Sequence, residues 1–164
     1  MRKFILFLMA VFAFGVQVVS AQNSMKIVTN HPDFNVKVKR CAANGKSVII
    51  DMVFTNKGDK DVIIDVIAND YSYWTEIYDD EGNKYVGKDG GITVKMANSG
   101  AYQSAVGNYR LLPDIPVKVS FCVNNISTSA ESIAYFEGVV VCGEWGLPSK
   151  DKWLIIRNIP ITRE

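Results

Sequence analysis

From Phe34 onward, apolar side chains recur at every second position, the period of a strand with one face in a core. Phe34, Val36 and Val38 alternate with Asn35, Lys37 and Lys39. Val48, Ile50, Met52 and Phe54 alternate with Ile49, Asp51, Val53 and Thr55. Between them lies Ala42-Ala43-Asn44-Gly45-Lys46, a hairpin signal. A two-residue Asn-Gly loop would set Val38 opposite Asp51, mixing faces. A three-residue loop with Gly45 left-handed sets Val38 opposite Ile50 and Val36 opposite Met52, so the pattern predicts the three-residue form.

The same alternation runs on. Val62 to Ala68 reads as a strand after the polar turn Thr55 to Asp61. Trp74–Tyr78 and Asn83–Val86 flank the turn Asp79-Asp80-Glu81-Gly82 as a second hairpin, and Ile92–Met96 is a short strand. Ala97 to Asn108, rich in Ala, Ser, Gly and Asn, reads as a long excursion. Val117, Val119, Phe121 and Val123 alternate cleanly behind Pro113 and Pro116. Ile133 to Cys142 is a longer strand in which Gly138 suggests a bulge. Trp153 to Ile161 closes the chain, with Pro160 suggesting an edge. No helical period of useful length occurs in this region. The expectation is an all-β chain: an antiparallel, immunoglobulin-like β-sandwich of about seven or eight strands over residues 34–164.

The first residues break this pattern. Arg2 and Lys3 precede an apolar run from Phe4 to Val19, and Val19-Ser20-Ala21 offers small side chains for cleavage. These are the three parts of a secretory signal peptide over residues 1–21. Residues 22–33 then read as a flexible N-terminal segment. A lipoprotein would need a cysteine at the cleavage point, but Ala21 and Gln22 stand there and the first cysteine is Cys41. The expectation is a soluble secreted or periplasmic protein, not a lipoprotein, with no membrane span after cleavage.

Composition narrows the function classes. Removing 21 of the 164 residues leaves 143, one ordinary domain. The leader holds two basic and no acidic side chains, so 16 basic face 17 acidic residues behind it, a net charge of −1. Nucleic-acid binding needs a basic excess that this balance does not supply. Cys41, Cys122 and Cys142 fit no zinc spacing, and export permits a disulfide among them or leaves them free. Strand phase places Cys41 with Lys37 and Lys39, and Cys122 with Lys118 and Ser120, both away from the core or towards a covering loop.

Four pieces carry a family likeness: Val53-Phe54-Thr55-Asn56-Lys57-Gly58, Ile77 through Tyr85, Leu112-Pro113 leading into Val117–Phe121, and the closing strand through Ile159. A strand ending in "TN-x-G", a "D-x-x-G-x-x-Y" hairpin and an "LP" lead-in to a late strand resemble the telokin-like, immunoglobulin-fold domains of unknown function in exported bacterial, Bacteroidetes-type proteins. The resemblance spans most of residues 34–161. It implies an extracytoplasmic sandwich without an assigned activity.

Catalytic signatures are scarce. His31 is the single histidine, ahead of Pro32, and no nucleophile elbow, phosphate loop or dinucleotide fingerprint occurs. No cofactor is expected. Asp79-Asp80-Glu81 offers oxygen ligands but reads as turn chemistry rather than a metal site. Tyr71, Tyr73, Trp74 and Tyr78 fall within eight positions, followed by Tyr85, Tyr102 and Tyr109. They read first as a small core beneath the 97–108 excursion. Their functional reading is a ligand surface through Tyr73, Trp74 and Tyr78, stacking a sugar or meeting a protein. The sequence thus points to an exported, non-enzymatic binding or accessory module with a protein or glycan partner. A carbohydrate-binding module is the alternative, and a carboxylate-based hydrolase a more distant one.

Overall fold

The computed structural model describes residues 24–97, 99–142 and 154–163. The signal peptide expected over 1–21 lies outside the described residues. Among the described residues there are twelve strands, β1 (Lys26–Thr29), β2 (Phe34–Asn44), β3 (Ser47–Asn56), β4 (Val62–Ile67), β5 (Glu76–Asp79), β6 (Lys84–Val86), β7 (Ile92–Met96), β8 (Ala105–Leu111), β9 (Val117–Val123), β10 (Ser132–Cys142), β11 (Leu154–Pro160) and β12 (Thr162–Arg163). They exceed the seven or eight read from the pattern because β1 and β12 are too short to show a period and β8 begins inside the segment read as an excursion. No described helix is long and apolar enough to cross a membrane.

The strands form an all-β sandwich. One sheet runs β1-β11-β10-β4-β8, with β5 also on β10 and β6 on β5. The other runs β12-β2-β3-β9-β7. All pairings are antiparallel except β12 on β2. The inward positions of both sheets make one core, and Phe121 of β9 meets Phe136 of β10 edge to face at 5.0 Å between ring centres. Gly138 marks no bulge, since it keeps regular register with Leu154. A Cβ there would lie 2.7 Å from the Phe136 ring, so the glycine makes room for that ring in the core.

The first hairpin corrects the expected register. Its loop is two residues, Gly45-Lys46, with Gly45 at φ +59° and Asn44 opposite Ser47. Parity is restored by a bulge at Lys39, between the pairs Val38↔Met52 and Arg40↔Asp51. Apolar still faces apolar, because a buried face tolerates no slip, but the extra residue sits in the strand and not in the loop. The bulge flips the phase behind it. Cys41 therefore turns inward to face Ile50 and is buried, contrary to the outward placement expected from Lys37 and Lys39.

Two segments read as irregular are strands. Lys26–Thr29, within the 22–33 segment read as flexible, pairs with β11. The 97–108 excursion ends at Ser104, and β8 pairs with β4 from Ala105. A bulge in β8, where Gly107 and the left-handed Asn108 (φ +55°) stand opposite the single Asp65, hides this strand's alternation, and Asp65 Oδ1 accepts the Asn108 N–H at 2.7 Å. Pro160 does not lie on an edge strand. β11 sits between β1 and β10, but β1 reaches only as far as Arg157, so the proline falls beyond its partner on that side.

All three cysteines are free. Burial pushes the Cys41 thiol up to about 12, against a smaller opposing pull from Arg163, and burial also raises Cys122. A thiol titration without reductant is expected to find three reactive groups in denaturant. In the folded protein the half-exposed Cys122 should react first, and Cys41 and Cys142 only on unfolding. Any thiol missing from the denatured count would show a bridge.

Candidate functional site

Two of the sequence-selected aromatics, Trp74 and Tyr78, come to the outer face of the larger sheet. Within β5 the buried positions are Ile77 and Asp79, leaving Glu76 and Tyr78 on the outer face. On β10, Tyr135 and Glu137 share that face, since Phe136 and Gly138 point inward. Register sets Tyr78 opposite Tyr135 and Glu76 opposite Glu137. β6 adds Lys84 beside Tyr78, and β11 adds Arg157 beside Tyr135. One row across the strands therefore reads Lys84, Tyr78, Tyr135, Arg157. The next reads Val86, Glu76, Glu137, Ile155.

Two carboxylates directly opposite on an antiparallel pair repel, and the arrangement persists because donors surround it. Trp74 Nε1 donates to Glu76 at 2.9 Å, and Lys84 Nζ lies 3.3 Å from the same carboxylate. The Tyr135 hydroxyl donates to Glu137 at 3.1 Å. Burial first, and then the Glu137 charge, hold the Tyr135 hydroxyl above its ordinary pKa. Hydrogen bonds to Tyr78 and Glu76 raise Lys84.

The rings are not open platforms. Tyr78 and Tyr135 meet edge to face at 6.1 Å. Lys84 sits over Tyr78 at 5.6 Å, Arg157 over Tyr135 at 4.8 Å and Lys88 over Trp74 at 5.3 Å. Trp74, Tyr78 and Tyr135 are half-buried. Tyr73 stands apart on the 70–73 loop at 40% exposure, beside the fully exposed Tyr71. The cluster is thus no core beneath the excursion. Of the expected residues, Trp74 and Tyr78 join the face and Tyr73 borders it. Glu76, Tyr135, Glu137, Lys84 and Arg157 escaped the sequence reading. Their outward phase was legible, but the pairing of β5 with β10 was not.

The other candidates are structural or incomplete. Asp79 is buried and accepts from Glu81 N–H (3.0 Å), Asn83 N–H (2.8 Å), Asn83 Nδ2 (2.9 Å) and the Tyr85 hydroxyl (2.8 Å). Tyr85 in turn accepts the Ser127 N–H at 3.0 Å, and Asp80 accepts from Glu131 and Ser132 N–H. The acidic turn is thus taken up in joining the β5–β6 hairpin to the 124–131 loop. Asn56 does similar work in the "TN-x-G" turn. Fully buried, it accepts from Gly58 N–H and donates to the carbonyls of Lys60 and Leu111. His31 borders a cleft of about 520 Å³ with Asp33, Asn56, Gly58, Asp59, Lys60 and Val62. Its Nδ1 accepts the Asp33 N–H at 3.2 Å. Among the described residues, no serine or cysteine lines that cleft.

No family model and no curated protein matches the chain. Among solved structures, a family 123 glycoside hydrolase from Clostridium perfringens, described for glycolipid glycan hydrolysis, is similar over 86% of this chain and 27% of its own. The TM-score is 0.37 and the identity 8%. A likeness that loose carries no argument about activity.

Proposed function

We propose that this chain is an exported, non-enzymatic β-sandwich of the telokin-like, immunoglobulin-fold kind that acts as a binding or accessory module. It meets a protein partner through the outer face of β6, β5, β10 and β11. The leader pattern over residues 1–21 supports export. The observation that carries the binding reading is the register-matched set Tyr78, Tyr135 and Arg157 around Glu76 and Glu137, with Trp74 bonded to Glu76. Tryptophan, tyrosine and arginine are the residue types that concentrate binding energy at protein interfaces. A sugar platform on these rings fits less well, because a ring face must be open for stacking and Lys84, Lys88 and Arg157 lie over three of them.

The test places a photo-crosslinking amino acid at Tyr78 or Tyr135 in the producing cells and identifies the adduct by mass spectrometry. The expected result is one recurrent protein from both positions, absent from a control at exposed Ile63. Purified with that protein, the Arg157→Ala variant should bind at least tenfold more weakly. A glycan-array signal abolished by Trp74→Ala, with no protein adduct, would overturn the protein reading in favour of a sugar.

A further inference from the structure

The opposite outer face, on the second sheet, carries a different chemistry. Register aligns Arg40 of β2, Asp51 of β3, Ser120 of β9 and Lys95 of β7 in one row across four strands. Lys118 stands one step along β9 on the same side. These residues line a cleft of about 330 Å³ together with Ile49, Ala97 and Tyr102. Three cations thus surround a single carboxylate. Asp51 is engaged at both oxygens, accepting from the Ser120 hydroxyl at 2.6 Å and lying 3.1 Å from Lys118 Nζ. Arg40 and Lys95 have no ion pair among the described residues. A cleft lined by excess charge of one sign concentrates ligands of the other.

The wall of the cleft is built rather than incidental. Tyr102 comes from the 99–104 segment, which is pinned to β7 by paired backbone bonds between Val94 and Gln103 at 2.8 and 2.9 Å. Tyr102 and Ser120 line the cleft together, and Ser120 itself is buried at 5% exposure. An aromatic side wall, a hydroxyl–carboxylate pair and flanking cations make a mixed recognition set. Arg40 and Lys95 stand three strand spacings apart, roughly 14 Å between backbones, and both line the cleft on either side of Asp51 and Ser120.

We propose that this cleft binds an anionic sugar unit, a sulfated or uronate residue of an acidic glycan. Arg40 and Lys95 hold the charged substituent, Asp51 and Ser120 take ring hydroxyls, and Tyr102 packs against the ring. Guanidinium suits such oxyanions because its fork matches their planar or tetrahedral oxygen pairs. The site is independent of the aromatic face of the other sheet, so a partner on that face and an acidic glycan here could be held together.

Calorimetric titration of the exported chain with a chondroitin sulfate hexasaccharide and a polygalacturonate oligomer tests this, with a neutral galactan oligomer and sodium sulfate beside them. At least one acidic oligomer is expected to bind at least tenfold more tightly than the neutral oligomer and than sulfate alone, and to weaken as salt rises. Arg40→Gln and Lys95→Gln should each lower that affinity at least fivefold with an unchanged melting temperature, since Arg40 is exposed, Lys95 only half-buried, and neither has an ion pair among the described residues. Tyr102→Ala should lower it as well. Lys37→Gln, on the same sheet but outside the cleft, and Arg157→Ala, on the other face, should leave it intact. Equal binding of sulfate and acidic oligomer, indifference to Arg40→Gln and Lys95→Gln, or no binding of either acidic oligomer overturns the proposal. A protein adduct at Tyr78 would stand whichever result is obtained.

Discussion

Gly87→Ala is expected to unfold the protein or leave it barely folded. A Cβ at this position would stand 1.6 Å from the Ala68 carbonyl oxygen and 2.6 Å from its carbon, both backbone atoms. No rotamer relieves that contact, so one chain segment must move by more than an ångström. The segments concerned are held by Thr75 N–H to Ala68 carbonyl at 3.0 Å and Gly87 N–H to Thr75 carbonyl at 2.9 Å. Moving either strand costs these bonds and disturbs the fully buried Thr75 and Ala68. The loss should be roughly 4 kcal/mol or more, a large part of the ~5–15 kcal/mol that holds a domain of this size folded. Denaturant midpoints of the variant and of Gly100→Ala measure it. The second glycine has open space around its missing Cβ and should be nearly neutral. A stable Gly87→Ala protein would show that the β5–β6 hairpin does not approach β4 this closely.

Asp79→Asn should cost about 2–3 kcal/mol at neutral pH and remove much of the acid sensitivity of the fold. Burial raises the Asp79 carboxyl, but hydrogen bonds from the Asn83 side chain, the Tyr85 hydroxyl and two backbone N–H groups outweigh it. The folded value falls below the ordinary 3.8. The sign follows from linkage: the folded chain binds this proton less tightly than the unfolded chain. The contribution is therefore complete above the ordinary value and drains away as pH falls through the folded one. Glu81 adds in the same direction, its carboxyl lowered by the Ser129 and Ser127 hydroxyls. An asparagine keeps the shape but turns an amide donor toward groups that are themselves donors. Urea midpoints from neutral pH down to about 2.5 should show the parent converging on the variant as acid is added. Parallel curves would mean that the charge of Asp79 is not what holds the turn.

Of these two residues, only Asp79 sits in a motif visible in the chain. Asp79, Gly82 and Tyr85 were recognisable as turn grammar, and local rules explain Gly82, whose φ is +84°. That the tyrosine hydroxyl closes on the aspartate and reaches on to Ser127 depends on how the hairpin meets a loop 42 residues away. Gly87 carried no signal, because the atom that forbids a side chain belongs to Ala68 and its own φ is not left-handed.

The candidate sites divide in the same manner. Alternation told which side chains on β9 and β10 face outward, because successive Cβ atoms point to opposite sides of a strand whatever the rest of the chain does. Which strand lies alongside is decided by core packing over long separations, as where Asp80 meets Ser132 across 52 residues. The rows Tyr78–Tyr135 and Arg40–Asp51–Ser120–Lys95 exist only once those pairings are made. Bulges work against sequence reading most directly. One extra residue at Lys39 reverses the phase of everything beyond it, which is why Cys41 faces inward.

By itself, then, the sequence determined the all-β class, most of the strands and the outward side of most of them, since these follow from a local period. The tertiary structure alone decided strand partners, the bulge positions and the close approach at Gly87. Those depend on contacts between residues far apart in the chain, whose energies no local pattern encodes.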